Sequence, residues 1–176
     1  MLGEKTKKNL EEAFAGESMA RNKYDYFASV FRKAGYEQIA NLFSETALNE
    51  KEHAKLWAKQ LGIISPDLAT DLETAIAGES FENSTMYPRM AAEALEEGHA
   101  DIAKLFEEVG EVEKAHEARY RKLLANLQSG SVFKRGEVKK WKCLNCGAIF
   151  EGTEPPKVCP TCLHPQGYFE IWVETY

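Results

Sequence analysis

The chain has 176 residues, 44% of them hydrophobic, and a formal net charge of −6. That length suits one ordinary domain plus a small appendage. No apolar run approaches the ~20 residues that span a bilayer, and the acidic balance argues against a nucleic-acid binder held by phosphate neutralisation. The opening MLGEKTKKNLEEAF carries no apolar signal stretch, so a cytoplasmic protein is expected.

From about Glu4 to Gln128 the sequence reads as helix, rich in Ala, Glu, Lys and Leu, with few breakers. The first predicted helix ends near Ala34, at Gly35, and the second runs from Glu37 to Leu61 before Gly62. GIISPDLAT is a connector with Ser65 or Asp67 as candidate caps. The third helix carries DLETAIAGESFENSTMYPRMAAEALEE to about Gly98, with a kink predicted at Pro88, which lacks an amide donor. The fourth spans about Ala100 to Leu127. QSGSVFKRGEVKK reads as a linker, and from Trp141 short β-prone pieces, turns, prolines and all four cysteines follow. The expected division is a four-helix bundle over 1–130, a linker over 131–140 and a small metal domain over 141–176. The acidic excess lies in the helices: 16 Lys+Arg against 23 Asp+Glu up to Phe133, then 6 against 5.

The helical part contains an internal repeat. AGES at 15–18 recurs at 77–80, an offset of 62; GYEQIANLF (35–43) matches GHADIAKLF (98–106) at an offset of 63. Glu50/His53 and Glu113/His116, two copies of Glu-x-x-His, are also 63 apart. A doubled helical hairpin is the expected architecture.

Helical spacing puts these charged residues on apolar stripes. Glu50 and His53 fall on a stripe of Ile39, Leu42, Phe43, Ala47, Ala54, Trp57 and Leu61. Glu113 and His116 share a face with Ile102, Leu105, Phe106, Val109 and Val112. Glu17 lies with Leu10, Phe14, Tyr24 and Phe31, and Glu79 and Glu82 lie with Leu72, Ile76 and Met86. A third Glu-x-x-His, Glu96/His99, sits at a turn beside Gly98 and reads as surface. Tyr24 and Tyr87 lie on the core side, as packing residues or as redox-active neighbours of a site.

Five converging carboxylates repel one another, and a multivalent cation relieves that cost. Two ferrous ions against Glu17, Glu50, Glu79, Glu82 and Glu113 leave a charge of −1, and two ferric ions with an oxo bridge leave the same charge. Oxygen-rich ligands with two imidazoles favour iron or manganese over structural zinc. One Glu from each of two helices and Glu-x-x-His from each of the other two is the ligand set of carboxylate-bridged di-iron bundles.

Cys143-x-x-Cys146 and Cys159-x-x-Cys162 can close a tetrahedral four-thiolate site, as zinc ribbons and mononuclear iron modules both do. Trp141, Phe150, Tyr168, Phe169 and Trp172 offer a miniature core around it. Without an export signal the cysteines read as a metal site and not as disulfides.

With both constellations present, the chain resembles the rubrerythrin family over nearly its full length. The matching stretches are AGESMARNKY, NEKEHA, AGESFENSTMYP, EKAHEARY and WKCLNCG…CPTC…YFE. The resemblance implies a ferritin-like all-α four-helix bundle followed by a β/loop-rich rubredoxin-like domain, with an oxo/carboxylate-bridged pair of iron ions and one Fe(Cys)4 iron per chain. It assigns the bundle ligands to Glu17, Glu50, His53, Glu79, Glu113 and His116, with Glu82 as an additional carboxylate that exchanges with His53 on reduction. It places Tyr24 and Tyr87 beside the irons, and Cys143, Cys146, Cys159 and Cys162 around the third. The implied activity is reduction of hydrogen peroxide to water, in oxidative-stress defence. Electrons come from a separate NAD(P)H-dependent reductase or a rubredoxin.

Leu163 follows the second cysteine knuckle where rubredoxin-type knuckles usually carry Gly. The connector after Leu61 is also short for a ferritin-like crossover, which leads to the expectation of a domain-swapped homodimer. The competing reading is an iron-oxidising or iron-storing ferritin-like protein with a zinc-stapled tail. A nucleic-acid-binding zinc ribbon is disfavoured by the acidic bundle.

Overall fold

The computed structural model describes residues 2–176, and the chain divides into two compact units, Met1–Pro66 and Asp67–Tyr176. The first unit is a helical hairpin of α1 (Glu4–Lys33) and α2 (Glu37–Leu61). Its helices meet along small side chains: Ala28, Ala40, Ala47, Ala54 and Ala58 are all buried. Alanine adds little width, so the backbones approach closely and the glutamates that follow can reach across. Gly62, with φ +71°, ends α2 in the left-handed conformation that glycine adopts without a Cβ clash.

The second unit opens on α3 (Leu68–Phe81), capped by Asp67, whose side chain accepts from the Thr70 amide at 3.1 Å. A π-turn over Glu82–Met86 joins α3 to α4 (Tyr87–Glu96), and α5 (Ala100–Gln128) returns antiparallel against both. The third predicted helix is therefore two α-helices with a π-turn between them. Pro88 sits in the first turn of α4, where a missing amide donor costs least.

The cause of the π-turn is one inserted residue. The repeat offset is 62 at Glu17/Glu79 and 63 from Tyr24/Tyr87 onward. At ~100° per residue, Tyr87 in an unbroken α-helix would be turned ~80° from Glu79. Absorbing one residue in the wider turn gives Tyr87 the seven-residue relation to its glutamate that Tyr24 has to Glu17.

A three-stranded antiparallel sheet of order β2-β1-β3 completes the unit: β1 (Lys139–Cys143), β2 (Ile149–Gly152) and β3 (Phe169–Ile171). Trp141, Cys143, Cys159 and Phe169 form its buried core, with Phe150, Ala148, Cys162 and Ile171 packed on them. The Trp141 indole donates to the Gly152 carbonyl at 2.9 Å. Two of the expected core aromatics lie outside this cluster. Tyr168 is exposed, and Trp172 carries the Lys140 ammonium over its ring at 5.0 Å.

The helical stripes also differ from expectation. Of the expected stripe residues Ala47, Ala54 and Ile76 are buried, whereas Ile39, Leu42, Ile102, Leu105 and Val112 are exposed, and the other buried helical positions are alanines and Gly110. A two-helix contact covers only one strip of each helix, and the larger apolar residues flank that strip.

The alanine seam is testable. Ala47→Leu should cost about 1–3 kcal/mol through overpacking. Leu48→Ala, at a position 60% exposed, should stay within about 0.5 kcal/mol of the parent. Thermal unfolding of both variants checks the contrast.

Candidate metal centres

In the first unit, Glu17 from α1 and Glu50 and His53 from α2 each bring a ligand atom within 4.8 Å of the others. His53 Nδ1 stands 2.8 Å from Glu50 Oε2 and 3.8 Å from Glu17 Oε1. The second unit repeats the arrangement with Glu79 from α3 and Glu113 and His116 from α5. His116 Nδ1 is 2.7 Å from Glu113 Oε2 and 3.6 Å from Glu79 Oε2. Glu-x-x-His spans about one helical turn, which is why each carboxylate meets its own imidazole. The four glutamates are half-buried, whereas the His53 side chain is 50% exposed. His53 thus stands on the open side of its hairpin, whereas His116 is half-buried like the glutamates.

Glu82 begins the π-turn, half-buried and outside the triplet, yet its charge is felt at both Glu79 and Tyr87. Burial and the neighbouring Glu113, Glu82 and Glu79 charges hold the Tyr87 phenol above its ordinary pKa, so it keeps its proton. Tyr24 packs against the rings of Phe27 and Phe43, with centroids at 6.3 and 5.8 Å. His99 is exposed at the start of α5 and belongs to no ligand cluster among the described residues. The sequence reading did not single out Asn83 and Glu117. The Asn83 side-chain amide donates to Glu117 Oε2 at 2.8 Å, and this bond and that from Arg121 hold the Glu117 carboxyl below the usual range.

The donor chemistry fits metal ions. A hydrogen bond with Glu50, followed by burial, raises the Glu17 carboxyl; burial, followed by a hydrogen bond with Glu113, raises Glu79. Carboxylates this close repel one another, and a cation between them relieves that cost. Glu79 Oε2 is buried without a hydrogen-bond partner, the state of an oxygen positioned for a ligand that is not a protein donor.

The four thiols form a second kind of site, with Cys143, Cys146, Cys159 and Cys162 sulfurs mutually within 4.8 Å. Cys143 Sγ lies 3.6 Å from Cys162 Sγ, and Cys146 Sγ 3.7 Å from Cys159 Sγ. The His164 amide, opposed by burial, brings the Cys162 thiol down to about 6. At Cys146 the Ala148 amide acts downward but is outweighed by burial and the other three thiols, which push it up to about 12. Such a set needs a soft cation to become four thiolates together. Gly147, after the first knuckle, has φ +78°; Leu163, after the second, adopts φ +62°, the glycine conformation with a side chain attached. The knuckle geometry is kept at the cost of backbone strain.

Residues 8–124 match the sequence profile of the rubrerythrin family, and residues 141–170 match the rubredoxin-like domain of rubrerythrin. The chain belongs to the rubrerythrin family. It is 47% identical to a rubrerythrin of Clostridium perfringens, over 100% of this chain and 98% of that one. A rubrerythrin of Porphyromonas gingivalis is 48% identical over 99% and 93% of the two chains. A solved structure of nigerythrin in a mixed-valent state aligns with 98% of this chain and 88% of its own, at 31% identity and a TM-score of 0.36. Family membership makes this a metal-binding oxidoreductase-type chain, with two glutamate/histidine groups that fit a di-iron site and a four-cysteine group that fits a rubredoxin-like iron.

Raised carboxyls bear on stability. A metal-free chain is most stable with Glu79 protonated, below the ordinary carboxylate pKa, and loses that contribution as pH rises through the raised folded value. Glu79→Gln removes the charge. At pH 7 the metal-free variant should therefore unfold at a higher temperature than the metal-free parent, while binding less metal. Calorimetry after chelation, paired with a metal titration, measures both.

Proposed function

We propose that this chain is a non-haem di-iron peroxidase that reduces hydrogen peroxide to water in oxidative-stress defence. The observation that carries the reading is the combination, in one chain, of two oxygen/imidazole triplets with one four-thiol cluster. Two ferrous ions in the bundle would supply the two electrons of the reduction, and a thiolate-bound iron would return them one at a time. The proposed division of labour is bundle over 1–130, linker over 131–140 and electron-relay domain over 141–176.

The roles follow from donor type. Glu17, Glu50, Glu79, Glu113, His53 and His116 would hold the irons, with Glu82 as the additional carboxylate that the family resemblance implies. Converting peroxide to two waters consumes two protons as well as two electrons. Tyr87, whose Oη keeps its proton, is a donor beside the second triplet, and Tyr24 takes the corresponding place beside the first. Cys143, Cys146, Cys159 and Cys162 form the relay. The electrons originate in a separate NAD(P)H-dependent reductase or a rubredoxin, and the cytoplasm, which keeps such thiols reduced, is the proposed setting. No helix among the described residues is long and apolar enough to cross a membrane.

We also propose a homodimer with exchanged hairpins. Glu50 lies eleven residues before Leu61, and Glu79 eleven residues after Leu68. Placing them level on parallel helices separates the helix ends by ~33 Å axially and ~8–10 Å laterally. The connector Gly62–Asp67 has six residues, and extended chain of that length spans at most ~25 Å from end to end. A second copy removes the constraint, and its apolar hairpin face would cover residues such as Leu42 and Leu105, which are exposed in the single chain.

Two measurements test these readings. Protein produced with iron should hold about three irons per chain, bleach on reduction and recolour on peroxide; Cys159→Ser should retain bundle iron yet lose reductase-dependent turnover by at least 100-fold. Zinc in the cysteine site, or a spectrum indifferent to peroxide, would favour an iron-oxidising or iron-storing role. Light scattering should give a dimer, and a monodisperse monomer with intact bundle iron would exclude the exchange.

A further inference from the structure

A helix that carries one extra residue can absorb it at more than one place. Each choice turns the residues on its far side by ~100°. Something must select the turn at Glu82–Met86, and the side chains around it make hydrogen bonds at the point of insertion.

The Asn83 side-chain amide donates to the Glu79 carbonyl at 2.6 Å and to Glu117 Oε2 at 2.8 Å, bridging α3 to α5. Ser84 Oγ donates to the Ser80 carbonyl at 2.6 Å. Two consecutive carbonyls ahead of the π-turn thus receive side-chain donors, which compete with the ordinary four-residue backbone ladder at this point. Glu117 is itself fixed, because its other oxygen, Oε1, accepts from Arg121 Nε at 2.8 Å and Nη2 at 2.6 Å. The first hairpin has neither the insertion nor the bridge. Arg21 stands at the position of Asn83, Ala54 at that of Glu117 and Ala58 at that of Arg121, by offsets of 62, 63 and 63.

We propose that Asn83, held between the Glu79 carbonyl and the Glu117 carboxylate, is the positioning residue that pins the inserted residue at Glu82–Met86 and so sets the direction in which Glu82 presents its carboxylate. This rests on the reading of Glu82 as a metal ligand. Asn83 touches no reacting atom; it acts through the helix phase, which also carries Tyr87.

The test uses the full-length protein loaded with iron-57, whose Mössbauer spectrum separates the bundle irons from the thiolate iron, together with amide hydrogen exchange. The variants are Glu82→Ala, Asn83→Ala and Glu117→Gln. Glu82→Ala should alter the signal of one bundle iron. Asn83→Ala should alter that same signal and speed exchange at least 10-fold from Thr85 to Met90, leaving α1, α2 and the cysteine module near parental rates. Glu117→Gln should give a smaller change of the same kind, and it carries the test if Asn83→Ala does not fold. A parental spectrum in both Asn83→Ala and Glu117→Gln, or exchange that rises uniformly along the chain, would overturn the positioning role. A parental spectrum in Glu82→Ala would instead remove Glu82 from the ligand set, and the positioning role with it.

Discussion

Carboxylates brought within hydrogen-bond reach of one another must share either a proton or a cation. Much of the helical part can be understood from that requirement. The alanine seam lets α1 and α2 approach until Glu17 meets Glu50 and His53. The second hairpin achieves the same closeness between Glu79 and the Glu113/His116 pair. Neither arrangement serves packing, since a hairpin with these acids replaced by apolar residues would be more comfortable without metal. The orphaned Oε2 of Glu79 is the plainest sign of what is wanted there.

The cysteine module meets a related problem by different chemistry. Its core is a small cluster of four buried residues, two of them Cys143 and Cys159, so the cation would serve as part of the interior as well as a redox centre. Hard oxygen and imidazole donors in the helices and soft thiolates in the sheet let one chain hold iron in two electronic settings. The family relation supports that pairing, because its two profiles cover the two settings separately.

Much of this was legible in the sequence. Glu-x-x-His on a helical stripe identified Glu50, His53, Glu113 and His116; Gly62 marked the end of α2, and of the two candidate caps, Ser65 and Asp67, the structure uses Asp67. The π-turn went unread although its signal was present, because a repeat offset that moves from 62 to 63 within one helix requires an absorbed residue. The open sides of the hairpins were not legible in the same way. Periodicity marks Ile39 and Leu105 as apolar-face residues, but which strip of that face the neighbouring helix covers depends on how the two helices dock. At Leu163 the missing glycine left the geometry of the turn open, and the backbone keeps the left-handed turn with a side chain attached, under strain. Asn83 and Glu117 carry no motif, since an amide and an acid 34 positions apart gain meaning only when two helices are docked.

The single-residue difference between the two hairpins has a consequence for their symmetry. Two equal copies of one helical hairpin would furnish equivalent donor sets. Here the second copy absorbs one more residue in its π-turn and carries Glu82 where the repeat gives the first copy Ala20, so the halves differ in donor set while keeping one architecture.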